Sequence, residues 1–362
     1  MGLILDNQGI HCIIFLKKPI WEGIMKTAVV GCGGIGSVVA CAASLNSPDV
    51  VCIEGKIEYA QKLENRGINL TGKKGNLHST IKCHAGFPTD SKYDVIILTV
   101  KSNVLRDVFT SAKEHLAKNG FIITLQNGVE VLRLHDEHPE VRLAAGAVGY
   151  NSIMIDHGQY EVTSDGGITV GNLNKKYDID LLLSLKQLLE PYIPIDFSKN
   201  IEGVLWGKLL IVIGVTGLGG VAGLRVGELL KMKVARKLFY RVVTEGYNIT
   251  KALGIKVDKF QGGINPAKFR MKGGLPIFFK YMILRVIGKR YRDLKSNIYH
   301  SIERGEKTEI DYLNGTVVEY AKKMGMDVPV NEAIVKIIKE IESGKRKMSV
   351  QNLYEIYNLV YS

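Results

Sequence analysis

Between residues 27 and 197 the chain alternates short, continuously apolar runs with longer stretches of helical periodicity. The runs at 27–30, 50–53, 95–100, 121–124 and 143–148 are rich in β-branched side chains. Unbroken apolar character over so short a length predicts parallel strands covered on both faces. Helical windows lie between them, at 35–45, 57–66, 105–116 and 129–135. That order predicts a doubly wound α/β domain over 25–198. Residues 159–170 read as a hairpin or late strands, with Asp165, Gly166 and Gly167 as the turn.

Beyond residue 198 the texture changes. Helical windows at 201–213, 226–253, 310–323 and 333–343 predict an all-α domain over 199–362, with Gly325 and Pro329 separating the last two. Glycines crowd its first stretch, at Gly203, Gly207, Gly214, Gly217, Gly219, Gly220 and Gly223. Each weakens a helix by about 1 kcal/mol relative to Ala, so close backbone packing or ligand approach is expected to compensate. Residues 1–24 read as an extension. Their apolar run at 10–16 is short, follows no basic stretch and precedes Lys17, Lys18 and Pro19, unlike a secretory signal. The functional chain is expected to start near Met25, just before the first strand. No run approaches the roughly 18 apolar residues of a membrane span, so no integral membrane segment is expected.

Composition narrows the class. A chain of 362 residues suits two domains, and 46% hydrophobic with 23% charged residues excludes a largely disordered one. Cys12, Cys32, Cys41, Cys52 and Cys83 are odd in number and form no CxxC pair. That argues against a disulfide framework or a metal site and for the reducing cytoplasm. The net charge is +12, and most of it sits in residues 251–300, where twelve Lys and Arg face only Asp258 and Asp293. No nucleic-acid docking motif accompanies them, so nucleic acid is not the expected partner and anionic small molecules are favoured. On a helix, Arg285, Lys289 and Arg292 fall on one face, opposite an apolar surface. Three readings follow for this segment: a lid or subunit-interface helix first, capture of an anionic substrate second, attachment to a membrane surface third.

Gly31, Cys32, Gly33, Gly34, Ile35 and Gly36 follow a predicted strand and open a predicted helix. The first glycine permits the tight turn, Gly33 lets the backbone approach a pyrophosphate, and Gly36 lets helix and strand pack closely. Helix N–H groups then stabilise the phosphate charge. A glycine-rich turn without a ligand is the bland alternative. Glu54, at the end of the second strand, stands where an acidic residue bonds the adenosine ribose and favours NAD. Lys56 could instead meet a 2′-phosphate and favour NADP.

The glycine loop, Thr99-Val100-Lys101-Ser102, Gln126-Asn127-Gly128, Leu205-Trp206-Gly207-Lys208-Leu209 and Lys307-Thr308-Glu309-Ile310-Asp311 occur in this order. The series resembles the ketopantoate reductase family over roughly residues 25–343. The resemblance implies a Rossmann domain, a helical domain of the 6-phosphogluconate dehydrogenase C-terminal type, and an active site in the cleft between them. It also implies NADP as cofactor and reduction of 2-dehydropantoate to pantoate, a step of pantothenate biosynthesis. A homodimer is expected.

By the matching motifs, Lys208 corresponds to the family's general acid, which protonates the alkoxide left by hydride addition to a ketone. Glu309 corresponds to the glutamate beside it, Asn127 to the asparagine touching nicotinamide ribose and substrate, and Lys101 to a lysine on the adenosine side. Taken singly, these four also suit a helix-surface lysine, a first-turn glutamate, a turn asparagine and a strand-end lysine. The sequence departs from the family in the substrate pocket. Val212 and Thr216 stand where two substrate-binding asparagines are expected, Asn297 replaces a serine, and Leu294 replaces another asparagine. The expected activity is therefore reduction of a 2-keto acid or related carbonyl compound. The rival reading is a non-catalytic dinucleotide-binding sensor or partner protein, against which retention of Lys208 and Glu309 speaks.

Overall fold

The structure is a computed structural model that describes residues 25–174, 178–261, 263 and 265–361. The expected extension at 1–24 lies outside the described residues. From Thr27 to Phe197 twelve strands alternate with helices. They are β1 (Thr27–Val30), β2 (Val50–Glu54), β3 (Ile68–Gly72), β4 (Leu77–Ser79), β5 (Lys82–Ala85) and β6 (Tyr93–Leu98), then β7 (Leu116–Thr124), β8 (Leu143–Val148), β9 (Asn151–Asp156), β10 (Gln159–Ser164), β11 (Ile168–Asn172) and β12 (Ile195–Phe197). The helices among them are α1 (Gly34–Asn46), α2 (Ile57–Arg66), α3 (Leu105–Glu114), α4 (Glu130–Glu137) and α5 (Ile179–Leu189).

Eight strands form one sheet in the order β12-β11-β8-β7-β6-β1-β2-β5. All pairings from β5 to β8 are parallel, and β11 joins β8 antiparallel. The chain leaves β1 toward β2 and later returns to β6 on the other side of β1, so the crevice beyond Val30 and Leu98 is a topological switch point. A smaller sheet, β4-β3-β10-β9, lies beside it. The expected hairpin at 159–170 is corrected here. β10 pairs with β9 and β3 in the small sheet while β11 pairs with β8 and β12 in the large one. The true hairpin is β9–β10, and Asp165 to Gly167 carries the chain from one sheet to the other.

From Ile201 onward the described residues hold helices and no strand: α6 (Ile201–Val212), α7 (Leu218–Ala222), α8 (Val226–Lys231), α9 (Lys233–Ala252), α10 (Ile277–Arg290), α11 (Asn297–Glu303), α12 (Asn314–Met324), α13 (Pro329–Glu342) and α14 (Val350–Tyr361). The fold is thus an α/β Rossmann domain followed by an all-α domain. The expected helix at 226–253 is two, because Met232 is extended (φ −75°, ψ 130°). The Arg236 guanidinium stabilises the break by donating to the Leu230 and Lys231 carbonyls at 2.8 and 2.6 Å. The helix expected at 310–323 starts late, after a short 3₁₀ turn at Ile310–Tyr312. The one expected at 333 starts at Pro329, whose missing N–H costs nothing in a first turn.

Gly203 and Gly207, one turn apart on α6, explain why glycines crowd this stretch. A Cβ on Gly203 would overlap the Lys256 carbonyl, and one on Gly207 the Asp258 carbonyl. The segment 256–258 therefore lies directly on the helix, tied by Asp258 N–H to the Gly203 carbonyl at 2.9 Å. Residues Ile201–Ala222 are long and apolar enough to cross a membrane, but most of that length is buried in the fold. One face of the large sheet (Ala28, Val30, Ile96, Leu98, Ile122) shares a core with α6 and the helices behind it, while Val29, Val95 and Ile97 pack in a second core with α1 and α5.

A buried polar knot fixes the helical domain. The Glu245 carboxylate accepts from Val330 N–H (3.2 Å), Asn331 N–H (3.0 Å) and the Asn331 side chain (2.7 Å), and Asn331 in turn accepts from Asn314 (2.9 Å). Replacing Glu245 with Ala leaves those donors unpaired in the interior and is expected to lower stability by about 3 kcal/mol, measured as a drop in the urea midpoint with unchanged slope.

Candidate functional site

The carboxyl ends of β1, β2, β6 and β7 converge at the switch point and carry the first group of expected residues. Three side chains hold the glycine loop. The Thr99 hydroxyl lies 2.9 and 2.7 Å from the Val30 and Gly31 carbonyls. The buried Tyr160 hydroxyl donates to the Cys32 carbonyl at 2.9 Å. The Glu54 carboxylate accepts from Cys32 N–H at 2.5 Å. Gly36 is packed so tightly that a Cβ would overlap the Gly31 carbonyl, and Gly34 meets the Ser152 carbonyl in the same way. Gly33 differs: nothing lies within 4 Å of where its Cβ would be. No side chain caps α1, which begins at Gly34 and Ile35. An open shelf above uncapped helix N–H groups fits a dinucleotide pyrophosphate.

The residues expected on the adenosine side are unequal. Glu54 is buried, and burial pushes its carboxyl up while the N–H groups of Cys32 and Gly55 oppose that. Lys56 is exposed, with its ammonium 5.0 Å from the Tyr59 ring centre and 3.9 Å from Glu58. Lys101 spans the domain cleft, and its ammonium donates to Glu306 at 2.6 Å.

The second group lies where the sheet meets the helical domain. Ser102 N–H donates to Glu309 at 2.9 Å, and its hydroxyl lies 3.3 Å from the Asn127 carbonyl. A Cβ on Gly128 (φ +99°) would come within 2.9 Å of the Tyr312 carbonyl. Thr308, just before Glu309, is anchored by its N–H and hydroxyl to Glu342 on α13 at 2.8 and 2.6 Å. The structure therefore brings Ser102, Asn127 and Glu309 together and fixes the glutamate from both domains.

Lys208 stands on α6, which packs against β8 and β11 of the large sheet. Its ammonium lies 5.7 Å from the centre of the Phe260 ring. Among the described residues it has no ion pair or hydrogen bond. Loss of water around it pushes the ammonium pKa down to about 8. Val212 ends α6 one turn further on, half-buried. Thr216, also half-buried, lies in a wide π-helical turn, Ile213–Gly217. That turn rotates Thr216 away from the place an unbroken α-helix would give it. Asn297 is exposed at the start of α11.

Sequence reasoning missed several contributors. Ser296, next to Asn297, is buried and its hydroxyl lies 3.3 Å from the Thr216 carbonyl. Phe260 covers Lys208, and Gln261 beside it accepts from Gly167 N–H at 3.0 Å, so this segment of the helical domain clasps the Rossmann domain. The Gly203/Gly207 spacing was the available signal that a backbone must lie there.

Known proteins resemble this chain in sequence and in fold. The family model described as ketopantoate reductase PanE/ApbA matches residues 27–175, and the one for the C terminal of the same family matches 200–342. A 2-dehydropantoate 2-reductase of Pyrococcus horikoshii is 25% identical over 323 residues, covering 88% of this chain and 98% of its own length. A solved PanE/ApbA family ketopantoate reductase from Ralstonia eutropha JMP134 superposes with a TM-score of 0.75 at 21% identity, covering 89% of this chain and 99% of its own. D-Mandelate dehydrogenase, solved with NADH and anilino(oxo)acetate, superposes with a TM-score of 0.77 at 19% identity, covering 88% and 99%. Matched in order by both family models, on a Rossmann domain joined to a helical one, the chain belongs to the ketopantoate reductase family.

Proposed function

We propose that the protein reduces the ketone of a 2-keto acid, with NADH or NADPH as reductant and Lys208 as the general acid. The observation that carries this reading is the desolvated ammonium of Lys208 beside Phe260, without an acidic partner among the described residues. When bound, the dinucleotide supplies a hydride to the carbonyl carbon. Lys208 then places positive charge beside the developing alkoxide and delivers the proton it needs. Glu309, held by Ser102 N–H, orients the polar groups around that proton. Asn127, half-buried on the loop after β7, holds substrate and nicotinamide ribose. Lys56 and Lys101 serve the adenosine side. Thr216 and Asn297 belong to the substrate pocket together with Val212.

Val212 narrows the substrate. An isopropyl group offers no hydrogen bond to a substrate hydroxyl, and an apolar pocket disfavours an added hydroxyl by up to about 10²-fold. The proposal therefore favours a 2-keto acid with an apolar side chain over ketopantoate, which carries a hydroxyl. For the cofactor, a buried carboxylate at the end of β2 suits a ribose hydroxyl and repels a 2′-phosphate. NADH is thus the preferred reductant in this reading, although the family resemblance alone points to NADP.

Four outcomes are expected. Lys208→Ala lowers kcat for keto-acid reduction by about 10²- to 10⁴-fold while retaining cofactor binding by fluorescence; unchanged turnover would remove Lys208 as the acid. Because the acid works only when protonated, kcat/KM for reduction falls as pH rises through about 8. Phe260→Ala lets water reach the ammonium and moves that limb to higher pH, which a pH-rate profile reads directly. Glu54→Gln shifts the ratio of kcat/KM for NADPH over NADH upward by about tenfold; a ratio that stays put would place cofactor choice elsewhere.

A further inference from the structure

We propose that the outward face of α10 is a docking surface for an anionic phospholipid bilayer. It goes beyond the reductase reading and does not depend on it. The helix is oriented by its packing: Lys280, Leu284 and Gly288 recur at helical spacing and are buried, with Lys280 over the Tyr240 ring of α9 and Gly288 against α8. A Cβ on Gly288 would touch Leu230, and one on Gly227 the Gly288 carbonyl, so the two helices lie in close contact. The Lys280 ammonium donates to the Arg270 carbonyl at 2.5 Å, which pins the loop before the helix.

What remains outside is unusual for a water-facing helix. Ile277, Phe278, Phe279, Met282 and Val286 are 54%, 65%, 52%, 49% and 67% exposed. With Met271 they make up six of the fifteen exposed large hydrophobic side chains among the described residues. Such clustering marks an interaction site, whereas scattered exposed residues do not. The expected division of basic and apolar residues on opposite faces is corrected here. Both kinds share the outward side, phenylalanines in the first turn and Arg285, Lys289 and Arg290 in the later ones.

Next to the basic end lies a cavity of about 530 Å³, walled by Lys231, Arg236, Arg285, Lys289 and Arg292 with no acidic side chain. The nearby Asp293 is drawn to Arg225 and Arg292 at 3.5 and 3.9 Å. Charge selects the occupant. A second copy meeting this face about a two-fold axis would set the same cations against each other. A soluble anion would use the cavity and leave the phenylalanines in water. An anionic bilayer uses both, with lipid phosphates at the cationic wall and the aromatic side chains at the acyl boundary.

The test is co-sedimentation of the full chain with phosphatidylcholine vesicles and with vesicles containing phosphatidylserine, at low and physiological salt. Binding to the phosphatidylserine vesicles alone, weakening with salt, is expected. The double variant Phe278→Ser/Phe279→Ser and the double variant Arg285→Glu/Lys289→Glu should each reduce it by about tenfold or more, with dinucleotide binding and circular dichroism unchanged. Absence of binding by the folded wild type overturns the proposal. So does binding indifferent to the phenylalanine variant, which would mean a site for a soluble anion, or a concentration-dependent dimer that this variant dissolves without any vesicle binding.

Discussion

The carbonyl of Asp258 occupies the space where a side chain on Gly207 would begin, and the surroundings of Lys208 follow from that contact. With Gly203 and Gly207 reduced to bare backbone, the segment after α9 settles onto α6. Its next residues then have fixed places: Phe260 over the ammonium and Gln261 on the Rossmann domain. A lysine at the solvent edge of an apolar helix would keep its ordinary pKa. Here the same lysine loses water on one side, and its proton becomes easier to release.

The glycine loop relies on a different economy of atoms. Cys32, in the middle of the glycine loop, uses its N–H for Glu54 and its carbonyl for Tyr160, one partner from the large sheet and one from the small. The small sheet thereby earns its place in the architecture, since it pins the loop from the side opposite β2. The loop is held open at Gly33 by partners at its neighbours. That arrangement is preorganisation of the kind that spares a binding site the cost of ordering its backbone.

The five central strands of the large sheet were legible because parallel strands covered on both faces carry apolar runs, as in β6 and β8; the edge strands β5 and β12, short and mixed in character, were not. The small sheet was not, because β3, β4 and β9 mix polar and apolar residues, and its two local pairs, β3–β4 and β9–β10, are joined only by the long-range β3–β10 pairing. The second domain was legible as helical, yet its breaks were not: Met232 has ordinary helix propensity, and only the Arg236 contacts reveal why the chain turns there. In the candidate site, motifs singled out Lys208, Glu309, Asn127 and the glycine loop. Contacts made across long sequence separations stayed hidden, among them Phe260 on Lys208, Glu306 on Lys101 and Ser296 on the Thr216 carbonyl. Such pairings depend on tertiary approach, for which a linear pattern holds no record beyond small residues at the crossing point.

α6 belongs to both halves of the molecule. It lies on β8 and β11 as a Rossmann helix would, and its other side is the centre of the helical bundle, so that one hydrophobic core runs from Ala28 to Ile356. A hinge needs a plane along which few apolar contacts cross, and this helix fills that plane. What can loosen instead is the contact between exposed side chains of the two domains. The Lys101–Glu306 pair is such a contact, one that water and salt can weaken without moving either domain.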